Sequence, residues 1–203
     1  MQGLINRAIQ SFVRDTYGDA TWAAVAREAR LGFDSFEPML HYDTAVTAAV
    51  IAAATQVLDR PRETLLEDLG TYLVSHPNLE ALRRLLRFGG VDFHDFLQSM
   101  EDLRGRAQLA LPDLDLPDLE LEDVAPGRFL LHCHSRMPGA GHVFMGLLRA
   151  MADDYGALVL LDHQGTRPGA AGRGAQQGEV IAVDLLDIRF AEGKRFDLSA
   201  STP

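Results

Sequence analysis

Residues 128–155 read RFLLHCHSRMPGAGHVFMGLLRAMADDY, and a change of period inside this stretch decides the fold. Phe129, Leu131, Cys133 and Ser135 alternate with Leu130, His132 and His134, the two-residue period of a strand with two unlike faces. After Pro138 and Gly139 the period lengthens. Val143, Phe144, Leu147, Leu148 and Met151 recur at steps of three and four, which predicts an amphipathic helix over residues 141–155. A strand that leads directly into an apolar helix implies a sheet with that helix lying on it. Downstream, residues 158–161 and 180–190 read as two more strands. The stretch GTRPGAAGRGAQQG between them (165–178) reads as a long hairpin connection.

Working back towards the N-terminus, residues 112–126 carry prolines at 112, 117 and 126, so this segment reads as extended chain and short strand rather than helix. Its acidic run, residues 113–123, reads as a solvated face. Everything before it is helical in pattern. Leu4, Ile5, Ala8, Ile9, Phe12 and Val13 make one stripe, closed at Tyr17-Gly18. Trp22, Val25, Ala26 and Ala29 make a second. Residues 44–58 are alanine-rich and apolar on most sides, as in a well-covered central helix, with Tyr42-Asp43 leading into it and Asp43 near the N-cap. Helices over 61–74 and from Asn78 to Gly89-Gly90 follow. The expected class is α+β, with a helical N-terminal subdomain (1–60) packed on a C-terminal subdomain of antiparallel sheet and helices (61–203).

The segment 92–111, DFHDFLQSMEDLRGRAQLAL, carries Phe93, Phe96, Leu97, Met100, Leu103 and Ala107 at helical steps and predicts one continuous helix. Arg104 lies on that stripe or at its edge. A guanidinium keeps its charge and is costly to bury alone. Arg104 therefore reaches water, pairs with an acid such as Glu101 or Asp102, or holds an anionic ligand.

Composition excludes several functions. The chain has 203 residues, with 19 Lys plus Arg against 29 Asp plus Glu and a net charge of −10. That balance argues against nucleic acid and anionic membrane surfaces as partners. The longest apolar stretch, 44–58, is too short to span a bilayer. Cys133 is the lone cysteine, which leaves no disulfide framework and makes a reducing cytoplasm the simplest setting. The opening MQGLINRAIQ lacks the basic start and apolar core of a signal peptide. HCH with His142 places only His132 and His134 on one strand face, too few for a zinc site. The glycine-rich loop lacks the GK[ST] ending of a phosphate cradle, and Ser135 has no nucleophile elbow. No enzyme chemistry is expected.

In its order of words the chain resembles the H-NOX family, the haem-based nitric oxide and oxygen sensor domains related to the regulatory part of soluble guanylate cyclase. The resemblance runs from residue 1 to about Phe190. It is carried by MQGLINRAIQSFVRDTYGDATW, Tyr42-Asp43, Leu69-Gly70-Thr71-Tyr72, FLQSMEDL, Pro112 and Pro117, and LLHCHSRMPGAGHVFMGLLRAM. It implies a non-catalytic sensor, haem b as the family's cofactor, and a cyclase or histidine kinase as partner. At the family's axial-histidine position this chain has Arg104. At the positions of the tyrosine, serine and arginine that clamp the propionates it has Cys133, Ser135 and Met137. The resemblance thus implies a family fold with the usual haem anchors replaced. Its apolar pocket walls are expected from Ile5, Ile9, Leu97, Met100 and Leu147. Three occupants follow: a fatty-acid-like guest with its carboxylate on Arg104, a haem ligated differently through His134 or Cys133, or none, leaving a scaffold that contacts a signalling partner.

Overall fold

The computed structural model describes residues 3–110, 116–167 and 177–194. Pro112, the start of the acidic run and most of the hairpin connection therefore lie outside the described residues. Helices α1 (Gly3–Tyr17), α2 (Asp19–Glu28), α3 (Thr44–Leu58) and α4 (Arg62–Ser75) come first. A 3-10 turn at Pro77–Leu79 leads into α5 (Glu80–Arg87), followed by α6 (Phe93–Gln98) and α7 (Leu103–Ala110). Strands β1 (Asp118–Ala125) and β2 (Arg128–Ser135) form a hairpin, α8 (Ala140–Tyr155) follows, and β3 (Leu158–Arg167) and β4 (Gln177–Asp187) complete an antiparallel sheet in the order β1-β2-β4-β3. The α+β class follows directly.

Local chemistry explains the boundaries. Asp43 caps α3 by accepting the Ala45 amide at 2.8 Å, as its position implies. The expected single helix over 92–111 is two helices. Ser99 Oγ donates to the Phe96 carbonyl at 2.7 Å and accepts from the Arg106 guanidinium at 3.2 Å, while Asp102 N and Leu103 N bond Ser99 O and Met100 O in a tight turn. Phe93, Phe96, Leu97, Met100, Leu103 and Ala107 are all buried nonetheless. The stripe was real; the backbone carrying it bends.

Two cores result. The first gathers Ile9, Phe12, Val13, Trp22, Phe36, Val50, Ile51, Leu65, Leu66 and Leu69 from α1 to α4 and the loop after α2. The second gathers Phe96, Leu97, Met100, Leu131, Cys133, Leu147, Leu148 and Met151 between α6, α8 and the sheet. Helix α4 supplies Leu65, Leu66, Leu69 and Tyr72 to the first core. On α1 the buried face is Gly3, Asn6, Ile9, Gln10, Phe12 and Val13, so Ile9, Phe12 and Val13 of the expected stripe are buried while Leu4, Ile5 and Ala8 are half-buried at its edge.

The cores join where α4 crosses α8. A Cβ on Gly70 would stand 1.9 Å from the Val143 carbonyl oxygen, and one on Gly146 would stand 1.9 Å from that of Glu67. Only reciprocal glycines allow this backbone approach. Thr71 Oγ1 adds a bond to Gly146 O at 3.3 Å.

Candidate functional site

The residues expected to wall one pocket are divided between the two cores. Ile9 is buried in the first, with Ile5 half-buried against it. Leu97, Met100 and Leu147 belong to the second, together with Cys133. Leu97, Met100 and Cys133 are each 0% exposed, so not even a water-sized gap lies against them. Met137 packs on both cores and sits between them.

The anchor positions have other partners. Arg104 is half-buried in the first turn of α7, beside buried Leu103. Glu101, one candidate acid for it, uses Oε1 to accept the Leu121 amide at 3.0 Å. Cys133 faces the second core, where burial first and the Glu179 carboxylate second push its thiol well above the usual range. It is a protonated filler and a poor metal ligand as it stands. Ser135 Oγ accepts the Met137 amide at 3.0 Å and shapes the turn into α8. His134 and His132 project from the opposite sheet face, 3.8 Å from Glu120 and 3.2 Å from Glu122. Strand alternation therefore keeps His134 and Cys133 from addressing one metal. A planar tetrapyrrole does not fit against Leu97, Met100 and Cys133 in this packing.

Surface grooves occur among the described residues. One of about 500 Å³ lies between α2 and the following loop, lined by Arg14, Trp22, Arg27 and Phe33. One of about 460 Å³ lies beside the β1–β2 turn, lined by His94, Val124, Phe129 and Ile188. Neither is bounded by the expected pocket residues. Asp92, His94 and Asp95 bring ligand atoms within 4.8 Å of one another. Both carboxylates are already capping: Asp92 accepts the Asp95 amide at 2.9 Å and Asp95 accepts the Val91 amide at 3.3 Å. A helix N-terminus also disfavours a cation.

The sequence reading missed three polar groupings. Asn6 accepts the Thr47 hydroxyl at 2.7 Å and Gln10 accepts the Phe36 amide at 2.9 Å, all deep in the first core. Asp154, 1% exposed, holds Arg83 at 2.6 Å on α5, and the neighbouring Arg87 lies 3.8 Å over the Tyr155 ring. Burial pushes the Tyr155 phenol up to about 12. At the other end of α8, Glu67, His142, His163 and Glu179 form a row. His142 Nδ1 lies 3.3 Å from Glu67, the two imidazoles stack with centres 4.1 Å apart, and His163 Nε2 lies 3.2 Å from Glu179. Glu179 Oε1 and Oε2 accept the Gly139 and Gly141 amides at 2.6 and 2.7 Å, capping α8 from β4. His142 was the one member with any sequence signal, through its nearness to HCH.

An H-NOX-type sensor fold is what this arrangement of helices and sheet defines. An H-NOX protein from S. oneidensis in the Fe(II)NO state aligns with a TM-score of 0.71 over 92% of this chain and 100% of that one, at 17% identity. A Cs H-NOX mutant aligns with 0.75 over 95% and 100%, at 13% identity. The haem-NO-binding family model matches residues 2–163, and the chain belongs to that family, whose domains are sensors rather than catalysts. Among curated relatives, soluble guanylate cyclase gcy-31 of Caenorhabditis elegans is 24% identical over 76% of this chain and 22% of its own length. Guanylate cyclase soluble subunit beta-2 of Rattus norvegicus is 27% identical over 46% of this chain and 14% of its own. The chain thus spans under a quarter of the length of these two relatives. No described helix is long and apolar enough to cross a membrane.

Proposed function

We propose that this chain is a regulatory domain of the haem-NO-binding family that works without conventionally ligated haem, in the cytoplasm, and passes its conformation to a signalling partner such as a cyclase or kinase. The sealed second core carries this reading. Leu97, Met100 and Cys133, which the resemblance puts at the pocket wall and clamp, have no exposed surface, and Arg104, Cys133 and Met137 stand at the positions that the resemblance assigns to axial histidine and clamp. An empty haem-sized void would be strongly destabilising, whereas a filled one is ordinary core.

The test is an absorption spectrum and an organic extract of protein expressed with haem precursor supplied. Protein with no Soret band and no bound lipid supports the reading. Stoichiometric haem overturns it and makes His134 and Cys133 the ligands to substitute. A co-purifying long-chain acid lost on Arg104→Met overturns it in favour of an amphiphilic guest held by that guanidinium. Arg104→His is expected to leave haem substoichiometric, because the interior stays filled.

A further inference from the structure

The row Glu67–His142–His163–Glu179 joins α4, α8, β3 and β4 at a single point. Its hydrogen positions can be assigned. The Gly165 amide donates to His163 Nδ1 at 3.2 Å, so Nδ1 is the bare ring nitrogen. Nε2 then carries the hydrogen given to Glu179. A proton added to His163 must enter at Nδ1 and expel Gly165, a left-handed residue (φ +84°) at the irregularity where β3 shifts register on β4.

Among the described residues nothing comparable restrains His142. Its Nδ1 faces Glu67, and no hydrogen bond is lost when Nε2 takes a proton. The stack supplies the second restraint: planes 13° from parallel with centres 4.1 Å apart would bring two cations face to face. The surrounding charges are few. Arg149 shares Glu67 at 3.1 Å, Arg62 bonds Pro138 O beside Gly139, Cys133 lies near Glu179, and the α8 amides point at Glu179.

We propose that the stacked pair is a proton-operated clasp. With one proton, on His142, the row stays closed. A second proton, on His163, parts the rings and releases Gly165, which uncouples the end of β3 from α4 and α8. None of these residues stands at a haem-anchor position, so the proposal does not depend on whether haem is bound. It gives the domain a proton input at the place where its two cores meet.

The experiment follows histidine ring nitrogens and the Gly165 amide by NMR in the full chain, from about pH 8 to about pH 5, the interval in which histidine is the usual titrating side chain. The expected result is an Nε2–H tautomer for His163 at the upper end. Protection of the Gly165 amide, corrected for intrinsic exchange, then falls by about tenfold or more at the lower end. His163→Asn keeps an acceptor near the place of Nδ1 but takes up no proton, and it should hold Gly165 protected throughout. His41→Gln, at an exposed loop position, should leave the response intact. An Nδ1–H tautomer, constant Gly165 protection in the natural chain, or an unchanged pH response in His163→Asn overturns the clasp. If the Asn variant fails to fold, the tautomer and protection measurements on the natural chain decide it alone.

Discussion

The core under α1 keeps polar side chains in its middle, while the core under α8 keeps them at its ends. In the first, Asn6, Gln10 and Thr47 are 0–1% exposed and tie α1 to α3 and to the loop after α2. In the second, Asp154 and Glu179 hold the two ends of α8, and what lies between is apolar. A polar interior fixes one arrangement, because each displaced group would be left buried and unpaired. An apolar interior pinned from its ends need only be filled. The second core is therefore the one that better tolerates changes of side-chain volume with the fold kept.

The largest way to break this comparison is at the joint between the cores. Gly70→Ala puts a Cβ 1.9 Å from the Val143 backbone oxygen, so α4 and α8 must separate. Denaturant unfolding should show a loss of about 3 kcal/mol or more, and a change near zero would show that the helices do not cross this closely. Next, Met100→Ala in the second core and Ile51→Ala in the first remove buried side chains that are 0% and 2% exposed. Each is expected to cost about 3 kcal/mol. A nearly neutral Met100→Ala would mean a loose second core and would reopen the question of what fills it.

A smaller effect separates the cores by pH. Cys133 holds its proton above the ordinary thiol range because it is buried and near Glu179. The unfolded chain therefore ionises first. The stability tied to this thiol is fully present below about pH 8.5 and is lost as pH rises past that value. Urea midpoints between about pH 8 and about pH 10 should fall, with Cys133 contributing at most about 1.4 kcal/mol per pH unit. Cys133→Ala should flatten the fall, and an unchanged slope would place the thiol in water. The smallest change has the opposite sign. Gly105 on α7 has open space around its missing Cβ, so Gly105→Ala should stabilise by about 0.5 kcal/mol in the same assay.

How far the sequence alone reached follows the same division. Apolar periodicity was enough for α1 to α5 and α8, for the switch from strand to helix at Gly139, and for the buried stripe Phe93 to Ala107, because burial of an apolar face is a local pattern. It placed Leu97 and Met100 inside, but could not tell that Ile5 and Ile9 face a different core. That depends on the rotation of α1, which buried Asn6 and Gln10 control, and polar residues read as solvent-facing. The bend at Ser99 was hidden for want of a Gly or Pro. The row from Glu67 to Glu179 joins four elements over more than a hundred residues, and no window of sequence contains it. Arg104 illustrates the remaining gap: its position in the family's order was legible, its surroundings were not.

The glycine crossing also bears on how the chain assembles. Residues 3–75 hold every helix of the first core, so that core can close on contacts made before α8 is synthesised. Thr71 and Gly146, however, are 75 positions apart. As the chain is made from its N-terminus, the Gly70 face of α4 has no cover until α8 has been synthesised. Contacts of such sequence separation slow folding and leave sticky surface exposed meanwhile. This tight approach of two backbones is thus one that the growing chain can make only after the helices of the first core are already in place.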